Sequence, residues 1–421
     1  MKKVIVQKFG GTSVADTDKI KNVAKTVIRE KNNGNDVVVV VSAMGHTTDH
    51  LVKMAKDLNS NPSAREMDML LSTGECVSIA LLTMAIQAQG YKAVSFNATQ
   101  IGILTENVHS KARFIDIKTD KLRKNLDEGN IIVVAGFQGV TEDGEITTLG
   151  RGGSDTSAVA LAVALNAERC DIYTDVEGVY TTDPRVVPNA SRLEEISYEE
   201  MLELAHAGAN VLHPRSVETA KQYSVPLRVR SSFKLDNMGT LILGVEKMEI
   251  NKPVAGVAAD LSQVRVVVCD IPDTPGEAAT LFGSLAKENV SVDMIIQSYA
   301  RKTSNTNDIA FTINSDDLPR AMEVLEKVKA KLNAADIKID DNIAKVSIIG
   351  AGMIDRPGIA STMFQTLADN GINIRMISTS EIKISCLINK DDAQNAVKAL
   401  HSIFNLESDE IAEVKGTLPD V

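Results

Sequence analysis

The chain has 421 residues, 44% of them hydrophobic and 24% charged, which is enough for two to four domains with ordinary buried cores. Its net charge is −11 and no basic block is present, so nucleic acid is excluded as an expected partner. The longest apolar runs, such as residues 37–41, are too short to cross a membrane, and no signal-peptide cleavage pattern follows the first residues. The cysteines at positions 76, 170, 269 and 386 have neither disulfide nor zinc spacing, so we expect a cytoplasmic protein.

The N-terminal segment reads as a βαβ unit of the parallel-sheet type. An apolar strand at residues 4–9 breaks at Gly10 and Gly11, a helix capped by Asp16 or Thr17 follows, and residues 36–42 form a second strand. Lys8 therefore lies at the carboxyl end of a strand, where open α/β sheets bind ligands. The glycines fit neither a P-loop nor a dinucleotide fingerprint. A lysine beside two glycines indicates a phosphate contact; the alternative is a solvated strand end.

Polar residues follow at the same predicted sheet edge. Ser42 and Thr48 come directly after the second strand, and Glu75 follows a glycine near the start of a long apolar helix. Glu75 either favours the helix dipole or faces the ligand. Further strands are predicted at residues 90–96 and 131–136, with a helix at 118–127 between them.

A glycine-rich loop at residues 147–158 is the strongest single motif. Three glycines bring the backbone close to a ligand and leave amides to face oxygens, before a helix predicted at residues 157–165. Arg151 offers a planar fork to a carboxylate or phosphate, and Asp155 offers the opposite charge. The combination suits a zwitterion beside a phosphate. The alternative is a solvated glycine-rich turn.

The next strand ends at Thr174 and Asp175, and a polar loop containing an Asp-Pro-Arg run at residues 183–185 follows. This loop either binds a nucleotide through its ribose and phosphates or is a turn-rich connector. His206 and His213 have no third metal ligand nearby and read as structural residues. Strands at 225–230 and 240–243 complete the first unit, and residues 244–252 form its boundary.

The C-terminal part contains an internal repeat. The run that begins Asp273-Thr274-Pro275-Gly276 recurs 82 residues later as Asp355-Arg356-Pro357-Gly358. Each copy continues as helix, two strands and a second helix, which predicts two βαββαβ units. The second copy lacks a clear last strand: either residues 411–414 or residues 254–258 supply it. In the latter case the first copy is inserted into the second.

Several motifs together resemble the aspartokinase family. They span the whole first unit in order: Lys8-Phe9-Gly10-Gly11-Thr12-Ser13-Val14, Val41-Ser42-Ala43-Met44-Gly45, Gly74-Glu75, Leu149-Gly150-Arg151-Gly152-Gly153-Ser154-Asp155 and Tyr173-Thr174-Asp175 through Asp183-Pro184-Arg185. The paired repeats resemble tandem ACT domains. The resemblance implies a three-layer α/β/α amino-acid-kinase domain with a mostly parallel sheet at 1–245. It also implies an inserted ACT domain at 263–340 and a second one at 250–262 plus 341–415, without a fused dehydrogenase.

The resemblance implies phosphorylation of the β-carboxylate of L-aspartate by ATP with Mg²⁺, in the first step of the pathway to lysine, threonine and methionine. The implied catalytic residues are Lys8, Glu75, Arg151 and Asp155. The implied ATP contacts are Lys8, Gly10, Gly11, Ser42, Thr174, Asp175, Tyr180, Asp183, Pro184 and Arg185, and the implied aspartate contacts are Ser42, Thr48, Glu75, Arg151, Gly152 and Asp155. No resident metal site is expected. Many relatives have lysine where this chain has Asn210, and this departure leaves the implied contacts at the adenine end open.

The resemblance also implies feedback control by lysine, threonine or both through the ACT domains, and a homo-oligomer formed by them. The implied effector residues are Asp273, Pro275, Gly276, Glu277, Ala278, Asp293, Met294, Gln297, Asp355 and Ser380. Because Arg375 and Thr379 replace Asp293 and Gln297 in the second copy, we expect the first copy to be the main effector site. Some relatives of this size also produce their regulatory half from an internal start, for which Met248 is the candidate.

Two other functions fit parts of the sequence. A kinase acting on a glutamate derivative is disfavoured by the paired repeats and by the Thr-Ser residues that follow the Lys8 motif. A catalytically inactive amino-acid sensor is disfavoured by the intact Lys8, Glu75, Arg151 and Asp155.

Overall fold

The structure is a computed structural model that describes residues 2–150, 152–209, 211–234, 236–247, 252–301, 305–354 and 356–408. The predictions made for Arg151, Asn210, Met248, Asp355 and residues 411–414 lie outside the described residues. The chain divides into two compact units. The first contains Met1–Tyr180, Arg192–His206 and Asn210–Glu249, and the second contains Thr181–Ser191, Ala207–Ala209 and Ile250–Val421.

The first unit alternates strands and helices. Its strands are β1 Val4–Phe9, β2 Asp36–Val41, β3 Ala93–Phe96, β4 Ile103–Thr105, β5 Phe114–Ile117, β6 Ile131–Ala135, β7 Gln138–Val140, β8 Ile146–Thr148, β9 Arg169–Thr174, β10 Glu195–Ser197, β11 Leu227–Ser231 and β12 Thr240–Leu243. Its helices are α1 Thr17–Asn32, α2 Thr47–Leu58, α3 Ala64–Gln87, α4 Ala98–Ile101, α5 Asp120–Asp127, α6 Gly153–Leu165, α7 Tyr198–His206 and α8 Pro214–Gln222.

An eight-stranded sheet with the order β10-β12-β11-β9-β1-β2-β6-β3 forms the centre of this unit. Every neighbouring pair is parallel except β11 and β12. Apolar side chains of α1 and α3 pack with one face of β1, β2 and β6, and α6 packs against β1, β2 and β9. The strands are apolar nearly throughout because helices cover both faces of such a sheet. The prediction of a mostly parallel sheet between helical layers is confirmed.

A small four-stranded sheet with the order β5-β4-β7-β8 has no counterpart among the predicted elements. Its strands are three or four residues long, and the hydroxyls of Thr105 and Thr147 lie 2.6 Å apart in its interior. Such short, threonine-containing strands have no apolar alternation to detect. This sheet matters for the site because β8 leads directly into the glycine-rich loop.

One helix among the described residues, α3, is long and apolar enough to cross a membrane, with a mean hydropathy of 1.7 over its most apolar window. The expectation concerned uninterrupted apolar runs, and α3 is not one, because charged residues such as Asp68 and Glu75 lie within it. The helix also contains the buried carboxylates of Asp68 and Glu75, and its Ile79, Leu82 and Ile86 belong to the core beneath the sheet. Core helices of large domains pass the same test of length and composition.

The second unit contains two four-stranded sheets. Its strands are β13 Gly256–Asp260, β14 Gln263–Pro272, β15 Val292–Gln297, β16 Thr306–Asn314, β17 Asp336–Asp340, β18 Ile343–Ile349, β19 Met376–Thr379 and β20 Lys383–Asn389. Its helices are α9 Glu277–Lys287, α10 Leu318–Lys331, α11 Ile359–Asp369 and α12 Ala393–Ile403. The strand orders are β15-β16-β14-β17 and β13-β18-β20-β19.

In the second of these sheets, β13 pairs with β18 in antiparallel register, from Gly256 opposite Ile349 to Asp260 opposite Lys345. A strand that precedes the first repeat thus lies in the sheet of the second repeat. This pairing supports the insertion of the first repeat into the second, whereas the exact domain boundaries stay a prediction.

The segment of residues 181–191 is held inside the second unit by a set of hydrogen bonds. The Val257 amide donates to the Thr181 carbonyl at 2.7 Å, and the Thr181 hydroxyl lies 2.8 Å from Nε2 of His401. The same hydroxyl donates to the Leu406 carbonyl at 3.1 Å, which leaves its oxygen to accept from Nε2–H of His401. The side chain of His401 is fully buried, and its Nδ1 has no hydrogen-bond partner among the described residues.

This arrangement predicts a pH-dependent stability. Burial lowers the pKa of His401 below its ordinary value of 6.5, although Glu407 partly opposes the effect. Below pH 6.5 the unfolded chain therefore binds a proton that the folded chain does not, and stability is lost as the pH falls.

We expect His401→Gln, which keeps a donor for Thr181 but does not titrate, to lose less stability than wild type between about pH 7.5 and 5.5, by up to ~1.4 kcal/mol per pH unit. Urea denaturation of both proteins across this range measures the difference. Parallel pH profiles for the two proteins would contradict the role assigned to His401.

Candidate active site

Lys8 and Asp155 form an ion pair at the carboxyl end of β1. Nζ of Lys8 lies 2.6 Å from Oδ1 of Asp155, and both side chains are 12% exposed. The pair forms because α6 begins at Gly153, four residues earlier than the predicted start at residue 157. Asp155 therefore lies in the first turn of α6, where the helix dipole favours a carboxylate. The structure thus brings together two of the predicted catalytic residues.

The turn after β1 packs closely on the turn after β2. The Gly45 amide donates to the Gly11 carbonyl at 3.0 Å, and the Ser42 amide donates to the Phe9 carbonyl at 3.1 Å. A Cβ on Gly11 would lie 2.9 Å from the Ala43 carbonyl oxygen, so a larger residue does not fit there. The Gly10 amide makes a long contact of 3.4 Å to the Tyr173 carbonyl. Lys8, the two glycines and Ser42 therefore lie at one edge of the sheet.

Glu75 reaches this edge from α3. Its Oε1 accepts from the Ala43 amide at 3.1 Å, while its Oε2 has no hydrogen-bond partner among the described residues. The side chain is 2% exposed, and this burial raises the pKa of the carboxyl to about 7. Buried carboxylate oxygens are normally paired, so an unpartnered one is suited to a cationic ligand. Thr48, in the first turn of α2, is half-buried.

The glycine-rich loop is tightly packed. Gly152 has φ of 70°, and a Cβ there would lie only 2.1 Å from Cγ of His213. The Gly153 amide donates to the Gly150 carbonyl at 3.0 Å, so the expectation that all loop amides are left for a ligand is wrong for Gly153. The loop closes a local turn here because Gly150, at φ of 77°, directs its carbonyl back toward the start of α6.

The predicted nucleotide contacts fall into two groups. Thr174 ends β9 beside β1, and its hydroxyl donates to Asp175 at 3.1 Å. Tyr180 is half-buried, and desolvation raises the pKa of its hydroxyl. In contrast, residues 183–185 belong to the segment that groups with the second unit, where the Arg185 guanidinium pairs with Asp183 at 2.7 Å. The role of this second group stays a prediction.

Sequence reasoning missed four residues around this site: Ser13, Phe137, His213 and Ser232. The hydroxyls of Ser13 and Ser232 lie 2.6 Å apart and join the turn after β1 to the turn after β11. Phe137 has φ of 69°, a strained conformation for an aromatic residue, and a Cβ on Gly153 would lie 2.8 Å from its ring. His213 was interpreted as structural, yet it packs against Gly152, and no pattern in the sequence indicates this contact.

Among the described residues, no three histidine, cysteine, aspartate or glutamate side chains converge to hold a metal ion. Mg²⁺ usually binds to one or two carboxylates together with the phosphates of a nucleotide, rather than in a cage made only of protein ligands. The donor set at the sheet edge, with Asp155 close to the predicted phosphate site, fits binding through one carboxylate and the phosphates of a nucleotide.

The described effector residues lie on β15, around the start of α9 and directly after β19. Asp273 accepts from Asn307 at 2.9 Å, Glu277 accepts from the Thr274 hydroxyl at 2.8 Å, and Gly276 caps α9 with φ of 103°. Asp293 forms an ion pair with Lys345 of β18. Three other predicted residues differ in exposure: Met294 is buried, whereas Gln297 and Ser380 are exposed. Pro275 and Ala278 flank the cap.

The packing of Gly152 makes a specific prediction. We expect Gly152→Ala to destabilise the protein by ~2–4 kcal/mol, because it adds a collision with His213 to the strain of a positive φ. Gly144 is a matched control: its φ of 86° is similar, but a Cβ there meets nothing within 4 Å. Gly144→Ala should therefore cost only ~1 kcal/mol. Urea denaturation of both variants measures the difference, and equal costs would contradict the collision.

Two family models match the chain. The amino acid kinase family model matches residues 3–231, and an ACT domain model matches residues 264–328 and 346–404. The first match covers the unit that contains the site, and the second covers both repeats.

Relatives of known name match nearly the whole chain. An aspartokinase from Bacillus sp. (strain MGA3) is 55% identical over 96% of this chain and 97% of its own length. Crystal structures of aspartokinase III from E. coli, with aspartate and ADP in the R-state and with lysine and aspartate in the T-state, are 29% identical. They cover 95% of this chain and 99% of their own, with TM-scores of 0.81 and 0.75. The chain therefore belongs to the amino acid kinase family and, within it, to the aspartokinases.

Proposed function

We propose that this protein transfers the γ-phosphoryl group of ATP to the β-carboxylate of L-aspartate and forms 4-phospho-L-aspartate. The observation that carries the proposal is the buried Oε2 of Glu75, which has no partner among the described residues. A phosphate-binding edge alone fits many kinases. A desolvated carboxylate oxygen beside the phosphate-binding edge is stabilised when the acceptor carries a cation, and the ammonium group of an amino acid is such a cation. The bound aspartate of the related E. coli enzyme supports this choice of acceptor.

Lys8 is placed to bind the transferring phosphoryl group. Its ammonium lies at the end of β1, and a Cβ on Gly10 would lie 3.5 Å from it, so the glycine keeps the space beside it open. The charge of Lys8 is balanced by Asp155 in the structure. Negative charge on a bound phosphate adds a second partner for this cation at the N-terminus of α6, where helix amides also favour anions.

The acceptor needs positioning more than acid–base help, because an ionised carboxylate is already a nucleophile. Arg151 would bind the α-carboxylate of aspartate as a bidentate pair, and Glu75 and Asp155 would form ion pairs with its ammonium group. Ser42 and Thr48 would add hydroxyl contacts. Catalysis then consists of orienting the β-carboxylate toward the γ-phosphorus and neutralising the charge of the transferring group.

The nucleotide would lie along Thr174, Asp175 and Tyr180, and the ADP bound to the E. coli relative supports nucleotide binding. Asp183, Pro184 and Arg185 are proposed as further contacts. Mg²⁺ would bind the phosphates with Asp155 within reach, and when bound it supplies charge neutralisation to the transferring oxygens.

Release of ADP with L-aspartate, L-glutamate or no acceptor tests the proposal. We expect ADP release that depends on L-aspartate, with at least about tenfold lower kcat/KM for L-glutamate, whose additional methylene misplaces the reacting carboxylate. Release favouring L-glutamate would support the other kinase considered above. No release with any acceptor would support the amino-acid sensor.

Glu75 makes the use of aspartate pH-dependent. Its pKa of about 7 means that the carboxyl is protonated below pH 7 in the ligand-free protein, and only the ionised form pairs with an ammonium. We expect the KM for aspartate to fall as the pH rises toward 7 and to level off above it. Glu75→Gln should raise this KM at least about tenfold at high pH and remove its pH dependence.

Steady-state kinetics between about pH 6 and 8.5 check this prediction. The matched control is Glu142→Gln, a change at an exposed acid outside the site, which should retain the wild-type profile. An unchanged pH profile in Glu75→Gln would show that another group controls aspartate binding.

We also propose feedback inhibition by lysine, alone or with threonine, through the ACT domains. The lysine-bound T-state of the E. coli relative supports lysine as the effector. The first repeat offers Asp293 to an effector ammonium, but this carboxylate already pairs with Lys345, which is 4% exposed.

A cytoplasmic homo-oligomer formed through the ACT domains completes the proposal. A regulatory fragment starting at Met248 is a further hypothesis, which mass spectrometry of untagged protein tests.

The ion pair between Asp293 and Lys345 allows a specific test of this effector site. If Asp293 binds the effector, Asp293→Ala should raise the lysine concentration for half inhibition at least about tenfold, whereas Lys345→Met should leave Asp293 free for the effector and keep inhibition. Removing Asp293 also leaves the buried ammonium of Lys345 without its ion-pair partner. The double variant Asp293→Ala/Lys345→Met removes both charges and is therefore the matched control for the cost of that unpaired ammonium. Titration of the kinase activity of each variant with lysine, threonine and both together shows whether Asp293 contacts the effector. Normal inhibition in the double variant would exclude Asp293 as an effector contact.

A further inference from the structure

Asp68 is a buried carboxylate that the proposed mechanism does not use. It lies on α3, two helical turns before Glu75, and its side chain is fully buried. Three groups donate to it: the Thr148 hydroxyl to Oδ1 at 2.6 Å, the Ser110 amide to Oδ1 at 3.1 Å and to Oδ2 at 2.9 Å, and Nδ1 of His109 to Oδ2 at 2.9 Å. An ionised carboxylate only accepts, so the proton of the His109 contact lies on Nδ1.

These three donors come from the two segments that flank the start of the glycine-rich loop. Thr148 is the last residue of β8, directly before Leu149 and Gly150. The Thr148 carbonyl accepts from the Ala112 amide at 3.0 Å, and a Cβ on Gly150 would lie 3.0 Å from the Ser110 carbonyl oxygen. Asp68 thus fixes both the strand that enters the loop and the chain segment on which the loop packs.

The other end of the loop is held independently. The Gly153 amide donates to the Gly150 carbonyl, and the Thr156 amide donates to the Gly152 carbonyl. Loss of Asp68 should therefore loosen the start of the loop without displacing α6, and so without displacing Asp155 or Lys8.

We propose that Asp68 is a positioning residue that holds the start of the glycine-rich loop in the conformation that binds the carboxylate of the acceptor. The proposal rests on the proposed function only for the identity of the ligand; the ordering of the loop does not depend on it. Hydrogen bonds to a charged, buried acceptor are stronger than neutral ones, and their loss leaves the donors unsatisfied in the interior. The acceptor site should be more sensitive than the nucleotide site, because Arg151 lies three residues after Thr148.

Two variants at Asp68 and one at Thr148 test the proposal. Asp68→Ala removes all three contacts. Asp68→Asn keeps one oxygen for Ser110 and His109 and an NH₂ that can donate to the Thr148 hydroxyl, so it should restore part of the function. Thr148→Val removes only the contact from the loop strand and is the variant of choice if Asp68→Ala does not fold. Glu66→Gln, a change at an exposed acid on the same helix, is the control.

The first measurement is hydrogen exchange at the Ala112 and Leu149 amides at the start of the loop in the ligand-free proteins, with the Gly153 amide, which is held independently of Asp68, as the internal reference. We expect exchange to be at least about tenfold faster in Asp68→Ala, intermediate in Asp68→Asn and Thr148→Val, and unchanged in Glu66→Gln. Unchanged exchange in Asp68→Ala and Thr148→Val would overturn the proposal. This measurement needs no substrate, so it decides the proposal even if the protein does not phosphorylate aspartate.

The second measurement separates positioning from general stability. We expect the KM for aspartate to rise about tenfold in Asp68→Ala, with the KM for ATP within about twofold of wild type and partial recovery in Asp68→Asn. Equal increases for both substrates, together with a lower Tm, would mean a purely structural role and would overturn the proposal. Absence of aspartate-dependent ADP release in wild type would count against the proposed function alone.

Discussion

Parallel pairing of β1 with β2 and β9 is the constraint on which the site depends. Because parallel strands end at the same edge of a sheet, Lys8, Ser42 and Thr174 are brought together although 166 residues separate the first from the last. Apolar helices cover both faces, so this edge is where polar side chains can gather. Two helices complete the set: α6 brings Asp155 to Lys8, and α3 brings Glu75 to the turn after β2.

The large sheet was predictable because its strands are apolar and its glycines mark their ends. Lys8 and Asp155 could be selected for the same reason, because each is a charged residue close to a glycine at a strand or helix end. Glu75 was selected because a glycine precedes it, but the expectation that it lies near a helix start was wrong: it lies in the middle of α3. Other features depend on contacts that have no local signal. The hydrogen bonds from three donor residues to Asp68 reach 41 to 80 residues along the chain, and no sequence pattern indicates the positive φ of Phe137. The start of α6 was missed because glycines at residues 152 and 153 read as loop.

The two repeats of the second unit are alike in topology but unlike in chemistry. Asp293 on β15 pairs with Lys345 on β18, so the repeats contact each other through a charge that only the first copy carries. Met294, next to it, packs with Ile343, Met376 and Leu387 of the second repeat. A ligand that competes for Asp293 would therefore act on the contact between the repeats as well as on its own binding site.

The 181–191 segment has a consequence for dissecting the protein into parts. Because Thr181 and Ser191 bond to Val257, His401 and Leu406, no single cut in the chain separates the two units cleanly. A fragment that ends before residue 248 carries this segment without its partners. A fragment that begins there leaves the Val257 amide and Nε2 of the buried His401 unsatisfied. Either fragment loses the sequence-distant half of a hydrogen-bonded set, so we expect each fragment to be less stable alone than in the intact chain.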